Sequence, residues 1–238
     1  MNLEEELKKL KNWKLKNPPP ISRVTSVFCA TLVQAASNQA FKLFRDKKFR
    51  EFAEFEKLDK TEQDRIFNEL VVSYLVLLML TLEAPDLHGE QELKEYFLIV
   101  KDEIPKAHLD YLKDLGIEKR YLEDWKKLIQ MRYDEYSSDK LEARKAAMEI
   151  ESKEKELTVE GLADIQLFLP VQTVAIGCHH HILRGKTEGK DELFKLILRS
   201  LSRFYVEIRV PLEGGEITFW GRLRAKLRHL WHKVHRSS

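Results

Sequence analysis

The sequence predicts an all-α protein, a single multi-helix domain around a buried central helix. Three observations carry that expectation. Only 9 glycines and 7 prolines punctuate 238 residues, so turns are few and elements long. Apolar residues recur at three- and four-residue spacing along most of the chain. The run Leu70 to Leu82, LVVSYLVLLMLTL, carries no charge and suits a helix buried on nearly all sides. With 43 % apolar residues, the chain is long enough to bury a sizeable core in one domain with appendages.

Residues 1–17 read as an N-terminal helical arm. Leu3, Leu7, Leu10 and Trp13 share a stripe that Pro18-Pro19-Pro20 terminates. The helical domain spans 21–212. Its first helix starts near Ser22 and lines up Val24, Val27, Phe28, Leu32 and Ala35, interrupted by Thr31. Phe49, Phe52 and Phe55 mark a shorter amphipathic helix. Asp59 or Thr61 caps the central helix, which runs to about Glu83 and stops before Pro85.

Two helices follow, near 89–103 and 105–115, the second opened by Pro105 and closed by Gly116. Residues 118–157 are strongly charged, with Tyr121, Trp125, Leu128 and Ile129 on one face and a solvated, projecting second half. Thr158 caps a helix that is kinked or broken at Pro170 and ends at Gly185. Residues 191–203 are helical again. Phe204, Val206, Ile208 and Val210 then alternate with polar residues, and Glu213-Gly214-Gly215 has turn chemistry. One short β-hairpin near 204–220 competes there with a helix continued to about Arg209.

The stretch VAIGCHHHILRGKTEGK, Val174 to Lys190, holds the residues most suggestive of chemistry. Adjacent histidines point about 100° apart on a helix, so three in a row cannot share one ion unaided. Only Cys178 and His181 have chelating spacing, and they are the metal candidates, though no CxxC or HExxH accompanies them. The plainer reading puts Cys178 in the core, His179 and His181 on its flanks and His180 in solvent. The histidines then complete a helix end, where positive charge complements the dipole. Gly185-Lys186-Thr187 lacks the earlier glycine and the preceding strand of a phosphate loop. No metal or other cofactor is expected.

Polar residues within apolar faces are a second candidate site. Asn38, Gln39, Ser73 and Tyr74, with Gln34 and Gln166, either line a ligand pocket between helices or satisfy one another. No catalytic motif decides whether the protein is an enzyme.

The basic C-terminal helix, 217–238, is the clearest signal. Phe219, Trp220, Leu223, Leu227, Leu230, Trp231 and Val234 fill an arc of about 120°. Arg222, Arg224, Lys226, Arg228, Lys233 and Arg236 occupy the rest, with His229, His232 and His235. From residue 221 onward there are six cations and no acid. Since the whole chain is +2, residues 1–220 carry −4.

The function this suggests is a helical binding or scaffold protein. Arg222, Arg224, Lys226, Arg228, Trp231, Lys233 and Arg236 would contact an anionic partner, a membrane surface or nucleic acid. Against it stand packing of the same helix on its own acidic body, and a ligand- or metal-binding bundle or enzyme using the polar interior. A homo-oligomer joined through the 138–157 helix is a third alternative. Two cysteines suit a reducing cytoplasm rather than a disulfide scaffold. The uncharged run, at 13 residues, falls short of the ~20 that span a bilayer, so no transmembrane span is expected. Asn and Gln total 12, which fits a thermophilic source.

Overall fold

The uncharged run lies within a 23-residue helix that a ring of five others encloses. The structure is a computed structural model, and it describes residues 21–84, 87, 91–154, 159–185 and 191–215. The expected N-terminal arm, the basic C-terminal helix and the expected cap Thr158 lie outside the described residues. Seven α-helices and no strand occur among the described residues, so the fold is all-α. They are α1 (Ile21–Phe44), α2 (Lys47–Phe52), α3 (Lys60–Leu82), α4 (Gln91–Asp114), α5 (Lys119–Glu154), α6 (Val159–Ile182) and α7 (Glu192–Leu212). A 3₁₀ turn, Phe55–Lys57, separates α2 from α3.

Asp59 starts α3 by accepting the Glu62 amide at 2.8 Å, and every residue from Leu70 to Leu82 is buried. A helix apolar on all sides needs neighbours on all sides. α3 accordingly packs on α1, α4, α5, α6 and α7. These five close a ring in which α1 meets α4, α4 meets α5, α5 meets α6, α6 meets α7, and α7 meets α1. The last seam carries a hydrogen bond from Gln39 of α1 to Glu207 of α7, at 3.0 Å. By length and composition α3 alone, among the described residues, could cross a membrane; here most of it is covered by protein.

Serving two neighbours widens the buried arc of α1. Phe28, Cys29, Leu32, Val33, Ala36, Ala40 and Leu43 form it, while Val24, Val27 and Ala35 sit half-buried at its edge. Thr31 is tolerated there because its hydroxyl donates to the Val27 carbonyl at 2.9 Å.

Three expectations are corrected. The helices expected on either side of Pro105 are one helix, α4, with the proline inside it. A proline inside a helix removes a hydrogen bond and costs about 3 kcal/mol. The buried stripe Phe97, Val100, Ile104, His108 and Leu112 runs through it and outweighs that loss. Gly116, at φ 83°, does close the helix, with the Ile117 amide donating to the Leu112 carbonyl at 3.0 Å. Of the kink or break expected at Pro170, the break does not occur, because α6 runs through it from Val159 to Ile182.

The β-hairpin near 204–220 does not form where the chain is described, because α7 continues to Leu212. Phe204 and Ile208 lie one helical turn apart and are buried with Leu201, Tyr205 and Leu212, whereas Val206 is exposed. The alternation was part of a helical stripe. Glu213-Gly214-Gly215 is a helix stop: Gly214 takes φ 82° and the Gly215 amide donates to the Val210 carbonyl at 2.8 Å. Residues 216–220 lie outside the described residues.

Where α5 crosses α6 the two helices pack closely at Gly177. A Cβ added at Gly177 would fall 2.1 Å from the ring of the fully buried Tyr136. Gly177→Ala should therefore destabilise the protein by about 1–3 kcal/mol, read from the urea midpoint. Tyr136→Leu, which removes the ring, should make the same glycine substitution nearly neutral.

Candidate functional site

The histidine run ends α6, and each ring has a different neighbour. Cys178 is fully buried and His180 exposed. His179 is buried, not on the flank the helical wheel gave it. Its Nε2 lies 2.9 Å from one oxygen of Asp191 and 3.0 Å from the other. Asp191 also caps α7 by accepting the Phe194 amide at 2.7 Å, so one carboxylate joins the end of α6 to the start of α7. His181 is half-buried, with Nε2 at 2.7 Å from Glu135 of α5. The terminal carbonyls of His181 and Ile182 accept from Arg65 of α3 at 2.8 and 2.9 Å. Arg184, at φ 52°, takes the left-handed position and Gly185 follows, its amide donating to the His180 carbonyl at 2.9 Å. The run is thus a helix end tied to three neighbouring elements.

Glu135 links this end to a buried ion pair. Glu69 interrupts the buried surface of α3 just before the uncharged run and is itself buried. Arg132 of α5 meets it in a forked contact at 2.7 and 3.0 Å, and its remaining nitrogen reaches Glu135 at 3.0 Å. Burial works against the charge on Arg132, but the hydrogen bonds and charge of Glu69 outweigh it and hold its pKa above the ordinary value. Asp139, one turn beyond Glu135, is pushed up by burial and by the charges of Glu135 and Glu142. The series Glu69, Arg132, Glu135, His181 spans three helices and saturates its own members.

Beside it, Ser73, Tyr136 and Cys178 meet in the core. Ser73 is close enough to temper the rise in both neighbours' pKa, yet its hydroxyl makes no well-formed hydrogen bond. Burial pushes the Cys178 thiol up to about 12, and the Cys29 thiol likewise. Both are free and protonated at neutral pH, which suits packing rather than nucleophilic chemistry.

An open cleft of about 610 Å³ lies elsewhere, between the first half of α1 and the second half of α4. Thr25, Ser26, Cys29 and Ala30 supply one wall, and Ile99, Ala107 and Tyr111 the other. Sequence patterns missed it. The available signal was a stripe of small side chains at helical spacing, Ser22, Thr25, Ser26 and Cys29, which cannot fill the space before a facing helix.

Asn38, Gln39, Ser73 and Tyr74 do not line this cleft. Asn38 is exposed, Gln39 bonds to Glu207, and Ser73 faces Cys178. The Tyr74 hydroxyl pairs with Ser200 of α7 at 2.6 Å. The side chain of Gln166 lies outside the described residues, as do Lys186, Thr187 and the basic residues 222–236. Among the described residues, no three His, Cys, Asp or Glu side chains are grouped to hold a metal, and Cys178 and His181 point to different partners. No family model, curated protein or solved structure matches the chain.

Arg132→Met leaves Glu69 charged and unpaired in the core, and should cost about 3–5 kcal/mol in chemical unfolding. The double change Glu69→Leu with Arg132→Met should recover most of that loss, because it removes the pair instead of breaking it. Equal loss in single and double variants would mean the pair itself supplies the stability.

His108 on α4 gives a pH signature. It is 1 % exposed and edge-on to Trp125 at 5.0 Å, and neither ring nitrogen has a hydrogen-bond partner among the described residues. Burial pushes its pKa down to about 4, against 6.5 for an exposed histidine. Between those values the unfolded chain binds the extra proton, so stability falls as pH drops from 6.5 to 4, by on the order of 3 kcal/mol. Between pH 7 and pH 4, His108→Leu should gain stability relative to wild type by that amount in urea melts. A constant difference would place His108 in water.

Proposed function

We propose that this protein is a helical scaffold that engages an anionic partner, a membrane surface or nucleic acid, through the basic amphipathic segment 217–238. The charge segregation carries the reading: six cations and no acid from residue 221 onward, against −4 on residues 1–220. The fold lends support from the other side. The ring closes between α7 and α1, and α7 has already buried its stripe and been capped at Gly214. The open cleft of the described body lies between α1 and α4, not beside the end of α7 where this segment begins. The polar interior supports a structural rather than a catalytic role, since its largest cluster pairs with itself. We take the compartment to be a reducing cytoplasm, in keeping with two free buried cysteines.

On this reading Arg222, Arg224, Lys226, Arg228, Lys233 and Arg236 supply electrostatic attraction, and Trp231 with its neighbours supplies apolar insertion. Each cation near an anionic surface contributes about 1 kcal/mol, screened within about 10 Å at 0.1 M salt. Sedimentation with acidic vesicles and a nucleic-acid shift assay should both weaken steeply with salt for the binding partner. Protonation of His229, His232 and His235 at lower pH should strengthen binding. Trp231→Ala should impair vesicle binding far more than duplex binding, since only lipid takes up the apolar arc. A protein that binds neither partner at low salt, and unfolds when 217–238 is removed, would show the segment to be core.

A further inference from the structure

We propose that the cleft between α1 and α4 is the seat of this chain's own N-terminal arm, residues 3–16. The cleft and the arm match in length, charge and connection. On α1 the cleft begins at Ser22, one residue inside the helix, so the chain arrives at its mouth. Asn17 to Ile21 contains three prolines and spans about 12 Å when extended, roughly one helix diameter. That is enough to turn the chain back over α1 and α4. A helix over 3–16 is about 21 Å long, and the α4 wall from Ile99 to Asp114 about 23 Å.

Charge selects the occupant. Glu103 and Lys106 on the cleft wall pair with each other at 3.3 Å. Asp110 and Asp114 line the same wall, are exposed, and have no ion-pair partner among the described residues. The arm carries five lysines between residues 8 and 16, and Lys9 and Lys11 flank its Leu3, Leu7, Leu10 and Trp13 stripe. An apolar stripe edged over its second half with cations thus faces a wall of small side chains, Thr25, Ser26, Cys29 and Ala30, edged with unpaired acids. Ile99, 51 % exposed on the cleft wall, gains cover by the same contact.

Hydrogen exchange on the full chain tests this. Amides of residues 7–13 should exchange about tenfold or more slowly than an unstructured chain. The triple variant Ala30→Arg, Asp110→Lys, Asp114→Lys changes only exposed cleft positions and should return them to the unstructured rate. Amides of α3 should keep their protection in that variant, which reports that the body is folded. Leu10→Asp, confined to the arm, should give the same release with the body untouched. Unprotected arm amides in the wild type would overturn the proposal, as would protection that survives both variants. Protection lost on hundredfold dilution would assign the cleft to another copy's arm and overturn the intramolecular seat.

Discussion

A helix without a polar face has one physical requirement, and the rest of this protein answers it. Between Leu70 and Leu82 no side of α3 can face water without exposing apolar surface. Five helices are recruited to it, and each turns buried side chains to it and to its neighbours in the ring. The requirement also dictates how polar groups on α3 are handled. Thr81 donates back to the Leu77 carbonyl at 2.6 Å, Tyr74 finds Ser200, and Glu69 finds Arg132. The wall supplies the partners of Tyr74 and Glu69, α3 itself that of Thr81, while the Ser73 hydroxyl has none among the described residues. The contacts that hold the ring at a fixed rotation about α3 are therefore polar ones, inside an apolar core.

Those polar contacts concentrate on one side, where α3, α5 and the end of α6 meet. Arg65 completes the carbonyl end of α6, while Glu62 receives both Arg65 and Arg184, which together hold its carboxyl below the usual range. Asp191 does the same for the start of α7. The histidines that look like chemistry in the sequence belong to this joinery. A buried ion pair contributes little net stability against apolar substitutes, but it penalises every arrangement that leaves one partner alone. Glu69 and Arg132 are suited to fixing which face of α5 meets α3.

How much of this was legible depended on whether a pattern reports one neighbour or two. The central helix was readable from Asp59 to Pro85 because cap, uncharged run and breaker agree. The face of α1 was read one notch off, since Cys29, Val33 and Ala36 are buried by a second neighbour that hydropathy on one helix cannot announce. Pro105 was read as a helix start and Pro170 as a kink or break, yet α4 and α6 run on through them. The alternation from Phe204 to Val210 fits two periods at once, and Glu-Gly-Gly serves a hairpin and a helix stop equally well. Tertiary contact decided among readings that were locally equivalent. For the site, Glu69 is the last acid before thirteen uncharged residues, but its partner Arg132 lies 63 positions away with nothing in the sequence to pair them. The cleft left still less trace, since it comes from what two helices fail to fill.

The hydrogen bond between Gln39 and Glu207 orients the molecule. Each residue lies five positions from the last residue of its helix, so α1 and α7 bring their carboxyl ends together. The cleft wall on α1, Ser22 to Ala30, sits at the opposite end, about 14–26 Å along the axis from Gln39. The chain therefore enters the body at one pole and leaves the described body near the other. Anything grasped beyond Gly215 and anything lodged beside Ser22 would be held apart by most of the length of a single rigid rod, and α1 itself sets their spacing.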